Sequence, residues 1–429
     1  MLELTPQQQA CSDAIVDWKQ NHSDFKQVFR VEGPAGSGKT HATKYTIDRL
    51  GCSVVCAAHT GKAASVMASR GYKDPRTIHS LIYKPSGSGS NRQQEAEDIQ
   101  HDIDDEMDLL LISEGMTQEQ AEEQEKIKKL KARLSLVTAL ANSPIFRLNP
   151  DSAVRDVDLV VIDECSMVGE DLGKDLLSFG TPVLVMGDPG QLPPVFGEGF
   201  FSHGEPDFML TEIHRQAQGS PVIHLATKAR TGGRLEYGDY GESGVFNKVP
   251  DGLPLKADQI IVGRNATRRL TNDKMRMLLG YVPSAEVKTC RSILPQPGEK
   301  VICLRNNAKL GVLNGTLWKV INCHASQSRR VTLSIEPEDG GMPITVLAHE
   351  HYFTSHKNDP KLIAQEIGFE MSEAESFDYG YCVTAHKAQG SQWDNVLVID
   401  QSACFGKDCN KWLYTAITRA IKNVWVVRQ

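Results

Sequence analysis

The amino-acid sequence predicts an α/β fold with two parallel sheets, and three observations lead to this prediction. Short apolar runs alternate with loops and helical segments up to residue 83 and again from residue 149. A second alternation of this kind begins near residue 259 and resumes at residue 381. Residues 285–378 instead contain short β-rich runs separated by Gly, Asn and Pro, which predict a small antiparallel barrel. Because strands that alternate with helices pair in parallel, we expect two α/β units, the second carrying a β insertion.

Local signals place the first elements of the chain. Thr5 is suited to cap a helix that has Pro6 at its first position. The apolar run 28–31 predicts a buried strand, and residues 53–58 predict a second one. Another helix is expected to open at residue 60, directly after that second strand. This order of strand, loop and helix indicates a parallel sheet with helices on both faces.

The first strand leads into a glycine-rich loop with the sequence GPAGSGKT, and a helical segment over residues 41–50 follows it. This context is typical of a loop whose backbone N–H groups wrap a triphosphate at a helix N-terminus. We expect Lys39 to reach the β- and γ-phosphates and the Thr40 hydroxyl to bind Mg²⁺. The loop residues predicted to contact ATP are Gly33, Pro34, Ala35, Gly36, Ser37, Gly38, Lys39 and Thr40.

An acidic pair, Asp163 and Glu164, follows a buried strand over residues 157–162. Since α/β sheets bind ligands at the carboxyl ends of their strands, Asp163 is expected to hold Mg²⁺ together with Thr40. Glu164 is then placed to orient or deprotonate an attacking water. The alternative is a strand-end acidic pair that only caps a helix, which the phosphate loop upstream makes less favourable.

Three further side chains are candidates for contact with a γ-phosphate. Gln191 lies on the proline-rich loop 187–194 after the next strand and suits a γ-phosphate sensor, although an ordinary turn has the same composition. Arg215 and Arg419 are candidate arginines, the second on a helix of the second α/β unit. An arginine from a facing domain couples hydrolysis to domain closure, whereas a surface ion pair is the commoner role for this residue.

Residues 84–148 interrupt the first unit. The segment 91–141 is charged and helical in pattern, and Gly115 divides it, so two antiparallel helices are predicted. The flanking runs 81–83 and 145–148 are expected to pair as a hairpin below them. Residues 91–134 carry 13 acidic and 6 basic side chains and thus the whole net charge of −7. A solvated spacer remains the alternative for this segment.

The composition bears on membrane insertion, on the state of the cysteines and on a nucleic-acid partner. No run of about 18 apolar residues exists, and the N-terminus has no basic segment leading into an apolar one, so we expect a cytoplasmic protein. The ten cysteines lack metal-site spacing and are expected to be reduced. Outside the acidic segment the charges balance, so bulk charge neither supports nor excludes a nucleic-acid partner.

Taken together, the motifs resemble those of superfamily 1 helicases, group B, of the RecD/Dda type. The match is block by block and covers most of residues 1–240 and 380–429. The matching blocks, in the order of the family's motifs, are residues 4–8, 33–40, 58–64, 77–81, 161–167, 187–194, 212–216, 384–394 and 414–420.

The resemblance implies two RecA-like domains with ATP in the cleft between them. It also implies 5′→3′ movement on single-stranded DNA, a duplex-splitting hairpin and an SH3-like barrel inserted in the second domain. The predicted ranges are 1–83 and 149–235 for the first domain, 84–148 for its insertion, 236–284 and 379–429 for the second domain, and 285–378 for the barrel.

The resemblance also assigns residues by position. Gln8 falls on the adenine-reading position, and Gly390 on a nucleotide-binding one. Single-stranded DNA and tailed or forked duplexes are the implied partners. The residues at the family's DNA-contact positions are Thr60, Lys62, Thr77, His79, Thr384, His386 and Lys387.

The acidic insertion departs from the family pattern, in which this position often carries only a short hairpin. Because an acidic segment is poorly suited to DNA phosphates, residues 91–141 are expected to dock a protein partner. The alternative function is a DNA-stimulated ATPase that works as a remodelling switch or scaffold through this segment.

Overall fold

The computed structural model describes most of the chain outside the acidic segment. The described ranges are 4–85, 146–194, 198–213, 219–283, 293–307, 310–326, 329–338, 340–355 and 374–428, with scattered residues between 102 and 134. Among those scattered residues, Ile103 packs with Leu130 and Leu134, so two parts of the acidic segment contact each other. The two antiparallel helices otherwise fall outside the described residues and stay a prediction.

The first part of the chain builds a parallel sheet and a small hairpin. Its described strands are β1 (Val28–Glu32), β2 (Val54–Ala58), β3 (Arg76–Thr77), β4 (Tyr83–Pro85), β5 (Phe146–Leu148), β6 (Leu159–Asp163), β7 (Val183–Gly187) and β8 (Phe208–Met209). Six of them form a sheet in the order β3-β2-β6-β7-β1-β8, with every neighbouring pair parallel. Glu32 is opposite Gly187 and Ala58 is opposite Asp163, so these four strands end at one edge. The predicted parallel α/β sheet is confirmed.

Helices cover both faces of this sheet. They are α1 (Pro6–Asp17), α2 (Lys39–Leu50), α3 (Gly61–Ser69), α4 (Ile78–Ile82) and α5 (Glu170–Leu177). Successive residues of β6 point to opposite faces of the sheet and pack in two separate apolar clusters. Val161 packs with residues of α1 and α3, and Ile162 packs with residues of α4 and α5. The strand is therefore buried on both faces, which explains its continuous apolar sequence.

The first strand of the hairpin begins two residues later than the sequence predicts, at residue 83 and not at residue 81. Tyr83 is opposite Leu148 and Pro85 is opposite Phe146 in antiparallel β4 and β5. Leu81 and Ile82, expected in the strand, instead complete α4, where both are buried against the first sheet. Thr77 caps this helix by accepting the Ser80 N–H, and the cap decides the structure of an apolar run that suits either element.

The second part of the chain contains the remaining described elements. Its strands are β9 (Gly238–Tyr240), β10 (Ser243–Phe246), β11 (Gln259–Val262), β12 (Lys300–Cys303), β13 (Leu317–Ala325), β14 (Arg330–Pro337), β15 (Ile344–His349), β16 (Phe377–Tyr379), β17 (Cys382–Thr384), β18 (Trp393–Asp400) and β19 (Ala420–Arg428). Its helices are α6 (Pro221–Arg230), α7 (Leu253–Lys256), α8 (Asn265–Leu278), α9 (His351–Thr354), α10 (Ala385–Ala388) and α11 (Cys409–Ile417).

A second sheet has the order β17-β11-β18-β19-β10-β9 and is parallel except for the antiparallel edge pair β9 and β10. Its core includes α6, whose Val222, Leu225, Ala226 and Ala229 pack with residues of α11 and β19. The predicted boundary at residue 235 therefore falls after a helix that packs with the second sheet. Helical spacing of apolar residues defines one buried face but not which sheet covers it.

An antiparallel sheet of order β15-β14-β13-β12-β16 lies in the chain between α8 and β17. A bridge between Ala348 and Glu375 joins β15 to the residues that lead into β16, which brings the two edges of the sheet together. Closure as an SH3-like barrel stays a prediction. In the described residues, no helix is both long and apolar enough to cross a membrane.

Candidate active site

A cavity of about 480 Å³ opens between the two parallel sheets. The first part of the chain lines it with the phosphate loop, Asp163, Glu164 and the loop after β7. The second part lines it with Gln392, Thr418 and Arg419. Residues predicted from separate motifs to act together, above all Lys39 and Arg419, thus lie in one crevice.

The phosphate loop links β1 to α2. Gly36 and Gly38 have φ angles of 83° and 78°, in the left-handed region that favours glycine. Gly38 precedes the first residue of α2 and offers no side chain to cap it, so the helix N-terminus is open to an anion. The Lys39 ammonium donates to the carbonyl oxygens of Gly33, at 2.5 Å, and Pro34, at 3.1 Å. Ser37 also donates to Pro34, so the loop is held by its own side chains.

Two half-buried carboxylates face this loop at the end of β6. Burial raises the pKa of Asp163, while the hydrogen bond from the Glu164 N–H and the Lys39 ammonium oppose that rise. Burial also raises the pKa of Glu164. Among the groups that lower this pKa, the Arg419 guanidinium has the largest effect. Glu164 has a φ of 55°, which is uncommon for a residue with a side chain and costs about 1–3 kcal/mol. The strained backbone turns the chain sharply at the point where both carboxylates meet the cavity.

The loop after β7 brings Asp188 and Gln191 to the same cavity. Gln191 is buried, and its side-chain oxygen has no hydrogen-bond partner among the described residues. Asp188 accepts from the Gly190 N–H at 3.0 Å, which closes the turn, and from the Tyr414 hydroxyl at 2.5 Å. The turn that was the alternative for this loop is therefore present, and it holds Gln191 at the cavity.

Of the two candidate arginines, Arg419 lies in the cavity lining and Arg215 lies outside the described residues. Arg419 is 3% exposed, and its guanidinium donates to the Thr415 and Ser391 carbonyls and to the Thr418 hydroxyl. A surface location, the alternative for this residue, is therefore wrong for Arg419. Arg215 lies outside the described residues, and its role stays a prediction.

Arg70, at the end of α3, is a cavity residue that sequence reasoning missed. Its guanidinium donates to the Thr40 hydroxyl at 3.1 Å and to the Gln392 side-chain oxygen at 3.2 Å. Tyr72 supports the same place by donating to the Thr40 carbonyl at 2.9 Å. No motif signal marks Arg70, because its partners are 30 and 322 residues away along the chain.

Gln8 lies behind the phosphate loop. It completes a capping box with Thr5, and its amide also donates to the Ser37 carbonyl at 3.4 Å. The side chain is buried and is not among the residues that line the cavity. Gln8 therefore helps to fix α1 against the loop, and its predicted contact with adenine stays a prediction.

Three of the predicted DNA-contact residues share one structural role. Thr60, Thr77 and Thr384 each follow or end a parallel strand and cap the next helix, by accepting the N–H of Ala63, Ser80 and Lys387. Their strands are β2 and β3 in the first sheet and β17 in the second. The structure thus aligns a hydroxyl and a helix N-terminus at each of three strand ends, an arrangement suited to phosphates.

The remaining DNA candidates lie beside these caps. The His79 ring is 4.7 Å from that of Tyr83, and the His386 ring is 5.8 Å from that of Phe405. Lys62 is the second residue of α3. Lys387 donates to the Asn314 side chain, and burial lowers the pKa of its ammonium to about 8.

At Gly390 the two parts of the chain are in close contact. A Cβ at this position would lie 2.8 Å from the Ala63 Cβ and 2.9 Å from the Thr60 hydroxyl, and the φ of Gly390 is +76°. The start of α3 is thus packed directly on the segment that follows α10.

Replacement of Gly390 by alanine is expected to lower the free energy of unfolding by about 2–5 kcal/mol, because left-handed strain and overpacking add. Gly51→Ala is the matched control, since Gly51 has a φ of +61° with nothing within 4 Å of its Cβ position. Strain alone should cost that variant about 1–2 kcal/mol. Urea unfolding measures the free energy of unfolding of both variants. An equal loss of stability in the two would contradict the close contact at Gly390.

The cavity fits a magnesium-bound nucleoside triphosphate. Lys39, Arg70 and Arg419 supply positive charge, and the two carboxylates with raised pKa are groups that a divalent cation would stabilise. Among the described residues, no group of three or more His, Cys, Asp and Glu side chains could hold a metal ion. Mg²⁺ typically binds one or two carboxylates and completes its shell with substrate phosphates, which this donor set permits.

The fold and the site define a P-loop protein in which two α/β sheets face one nucleotide-sized cavity. Residues 3–250 match the AAA domain family, and residues 379–427 match the UvrD-like helicase C-terminal domain. The chain belongs to the AAA domain family, and the predicted resemblance to superfamily 1 helicases of the RecD/Dda type is confirmed.

The relatives are distant. The chain is 25% identical over 422 residues to the ATP-dependent RecD2 DNA helicase of Deinococcus radiodurans, covering 91% of this chain and 45% of that protein. It is 28% identical over 224 residues to the ATP-dependent DNA helicase dda of Enterobacteria phage T4, covering 48% and 38%. The chain thus spans less than half the length of these curated relatives. The crystal structure of Bacteroides Pif1 bound to ssDNA is similar in fold, with a TM-score of 0.52, 20% identity and coverage of 99% and 92%.

Proposed function

We propose that this protein is an ATP-dependent DNA helicase that moves along single-stranded DNA in the 5′→3′ direction and couples Mg-ATP hydrolysis to duplex unwinding. One observation carries the proposal: Lys39, Glu164 and Arg419, from three separate motifs and both sheets, line a single cavity. A cavity between two units is closed and opened by the binding and loss of its ligand, which can be used for movement.

The proposed hydrolysis assigns one task to each side chain. Lys39 and the loop N–H groups bind the β- and γ-phosphates, and Gln191 orients the γ-phosphate. Thr40 and Asp163 would hold Mg²⁺, which neutralises phosphate charge when bound. Glu164 accepts a proton from the water that attacks the γ-phosphorus, while the bond to the ADP oxygen breaks.

Arg419 is proposed to stabilise the negative charge that develops in the transition state. Its guanidinium belongs to the second part of the chain, whereas Lys39 belongs to the first. Hydrolysis is therefore fastest when the two parts are close together, and release of phosphate lets them separate. Alternate closing and opening is the proposed origin of movement.

The three threonine caps are the proposed path for a single strand. Hydroxyls and helix N-termini contact phosphates without reading bases, so we expect little sequence preference. Two caps lie on the first sheet and one on the second, so domain movement changes the spacing of the contacts along the strand. The direction of movement comes from the family resemblance, since residue chemistry does not determine polarity.

The test is an unwinding assay with duplexes that carry either a 5′ or a 3′ single-stranded tail, run beside ATPase assays. We expect strand separation from the 5′ tail and stimulation of the ATPase by single-stranded DNA. ATPase stimulation without strand separation from either tail would favour the switch or scaffold alternative. A chain with no ATPase activity would overturn the proposal.

DNA affinity is expected to depend on pH through Lys387. Because burial lowers the pKa of this ammonium to about 8, it is charged at pH 7 and mostly neutral at pH 9. Loss of one phosphate contact should reduce the slope of log K against log salt by about 0.7 for a single strand. Fluorescence anisotropy with a labelled oligonucleotide, at several salt concentrations and both pH values, measures the slope.

Lys387→Met is the matched variant, because it keeps an apolar chain of similar length. Its slope at pH 7 should equal that of the native protein at pH 9 and should change little with pH. A slope for Lys387→Met at pH 7 equal to that of the native protein at pH 7 would exclude Lys387 as a phosphate contact.

A further inference from the structure

The Tyr414 hydroxyl joins the two sides of the cavity. It accepts a hydrogen bond from the Ala35 N–H of the phosphate loop at 2.8 Å and donates one to Asp188 at 2.5 Å. Tyr414 lies on α11 in the second part of the chain, 379 residues from Ala35. The ring is 1% exposed and Asp188 is 4% exposed, so water does not readily replace these bonds.

The neighbouring contacts hold the same loop. The Leu192 N–H donates to the Thr415 hydroxyl at 2.9 Å, and Gln389 donates to the Leu192 carbonyl at 2.9 Å. At Gly190 a Cβ would lie 2.9 Å from the Tyr414 ring, so the loop backbone packs directly on the ring. The loop is therefore fastened to the second part of the chain on both sides of Gln191, at Asp188 and at Leu192.

The same turn of α11 also holds Arg419. The Thr415 carbonyl accepts from the Arg419 guanidinium at 3.0 Å and from the Thr418 hydroxyl at 3.0 Å. A shift of α11 at Tyr414 would move Thr415 and with it the guanidinium. One short segment thus connects the phosphate loop, the Gln191 loop and the arginine.

We propose that Tyr414 is a positioning residue for ATP hydrolysis: its hydroxyl fixes α11 against the phosphate loop, so that Arg419 and Gln191 face the γ-phosphate together. The inference rests on the proposed function and deepens it. Tyr414 does not line the cavity and touches no reacting atom in this arrangement. Its effect on the rate passes through the residues that it places.

Removal of the hydroxyl has a defined physical consequence. The Ala35 N–H would lose its acceptor, and the buried Asp188 carboxylate would lose its tyrosine donor. A hydrogen bond to a charged group stabilises a structure more than one between neutral groups. When the loss of such a bond affects only the transition state, the rate falls about 10- to 100-fold.

The experiment compares the full chain with Tyr414→Phe, a change that removes one oxygen atom and keeps the ring. We expect kcat for ATP hydrolysis to fall about 10- to 100-fold, with KM for ATP changed less than about threefold. Tyr240→Phe is the matched control, because its hydroxyl bonds only the Glu236 carbonyl in the described structure and is exposed. That variant should keep the native kcat.

A double variant separates positioning from general destabilisation. If Tyr414 acts through Arg419 and Gln191, then Tyr414→Phe should lower kcat less in an Arg419→Ala background, where only the effect through Gln191 remains, than in the native chain. The same 10- to 100-fold loss in both backgrounds, or a native kcat in Tyr414→Phe, would overturn the inference. Should Tyr414→Phe not fold, Thr415→Val tests the same junction of α11 with the Gln191 loop, because it removes the acceptor of the Leu192 N–H. A native kcat in that variant would overturn the inference that this junction positions Arg419 and Gln191.

The failure of this inference differs from the failure of the proposed function. A native chain that lacks ATPase activity contradicts the function. If the native chain and Tyr414→Phe hydrolyse ATP with the same kcat, only the proposed role of the hydroxyl is contradicted.

Discussion

Replacement of Lys39 by alanine is expected to lower kcat for ATP hydrolysis by about two to three orders of magnitude and to remove detectable strand separation. The ammonium lies in the phosphate loop, where its carbonyl partners, Gly33 and Pro34, hold it at the mouth of α2. A fixed positive charge at the transferring phosphoryl group stabilises the charge that develops in the transition state. Loss of one such group costs about 10²–10³-fold in kcat, and ATP affinity should fall as well. Phosphate release in the presence of single-stranded DNA measures the rate.

The control is Lys174→Ala, which removes the same kind of side chain from an exposed position on α5. Lys174 pairs with Glu170 one turn away, and such exposed pairs contribute little to stability. Its turnover should equal that of the native chain. Normal turnover in Lys39→Ala would remove the assignment of the cavity to ATP.

The parts of the site that are contiguous in the chain could be predicted from the sequence. The loop from Gly33 to Thr40 follows a strand and precedes a helix, so its position needs only local rules. Asp163 could be placed as well, because β6 is an apolar run that ends in an acidic pair and parallel strands end at one edge of their sheet. In both cases one short segment carries the geometry and the chemistry.

The contacts between the two sheets could not be predicted in this way. Arg70 meets Gln392 across 322 residues, and Tyr414 meets Ala35 across 379. These pairings depend on how two different sheets face each other, which no local pattern specifies. Helix α6 illustrates the same limit, since its apolar stripe suits either sheet and the structure packs it on the second.

Gln8 shows a different limit, because one residue satisfies two patterns. Its position after Thr5 fits a capping box and also the adenine-reading position of the family. In the structure the side chain completes the box and contacts Ser37, away from the cavity lining. The sequence analysis predicts Thr5 as the cap and, through the resemblance, Gln8 as the adenine-reading residue. The capping role of Gln8 becomes visible only in the structure, because it depends on where the side chain points.

Replacement of Arg419 by alanine is expected to leave ATP bound but hydrolysed very slowly. The phosphate loop, which supplies most of the proposed nucleotide contacts, belongs to the other sheet and is unchanged. An arginine that acts on the transition state from a facing domain is worth about 10³–10⁵ in kcat. Binding of a fluorescent ATP analogue should therefore weaken far less than kcat falls. Arg49→Ala is the control, because this exposed arginine pairs with Asp13 away from the cavity.

Arg419→Lys tests whether charge alone is sufficient. Lysine keeps the positive charge but lacks the planar group that reaches the Thr415 and Ser391 carbonyls at once. We expect it to restore only a small part of the rate. A native rate in the alanine variant would leave Arg419 as a structural residue and remove the coupling of hydrolysis to domain closure.

The pH dependence of the alanine variant provides an independent check. Burial raises the pKa of Glu164, and the Arg419 guanidinium lowers it, so removal of the arginine should raise it further. A base with a higher pKa loses its proton only at higher pH. The acidic limb of the residual kcat should therefore move to higher pH in Arg419→Ala and stay near the native position in Arg419→Lys. An unchanged limb in the alanine variant would mean that Glu164 and Arg419 do not share the site during turnover.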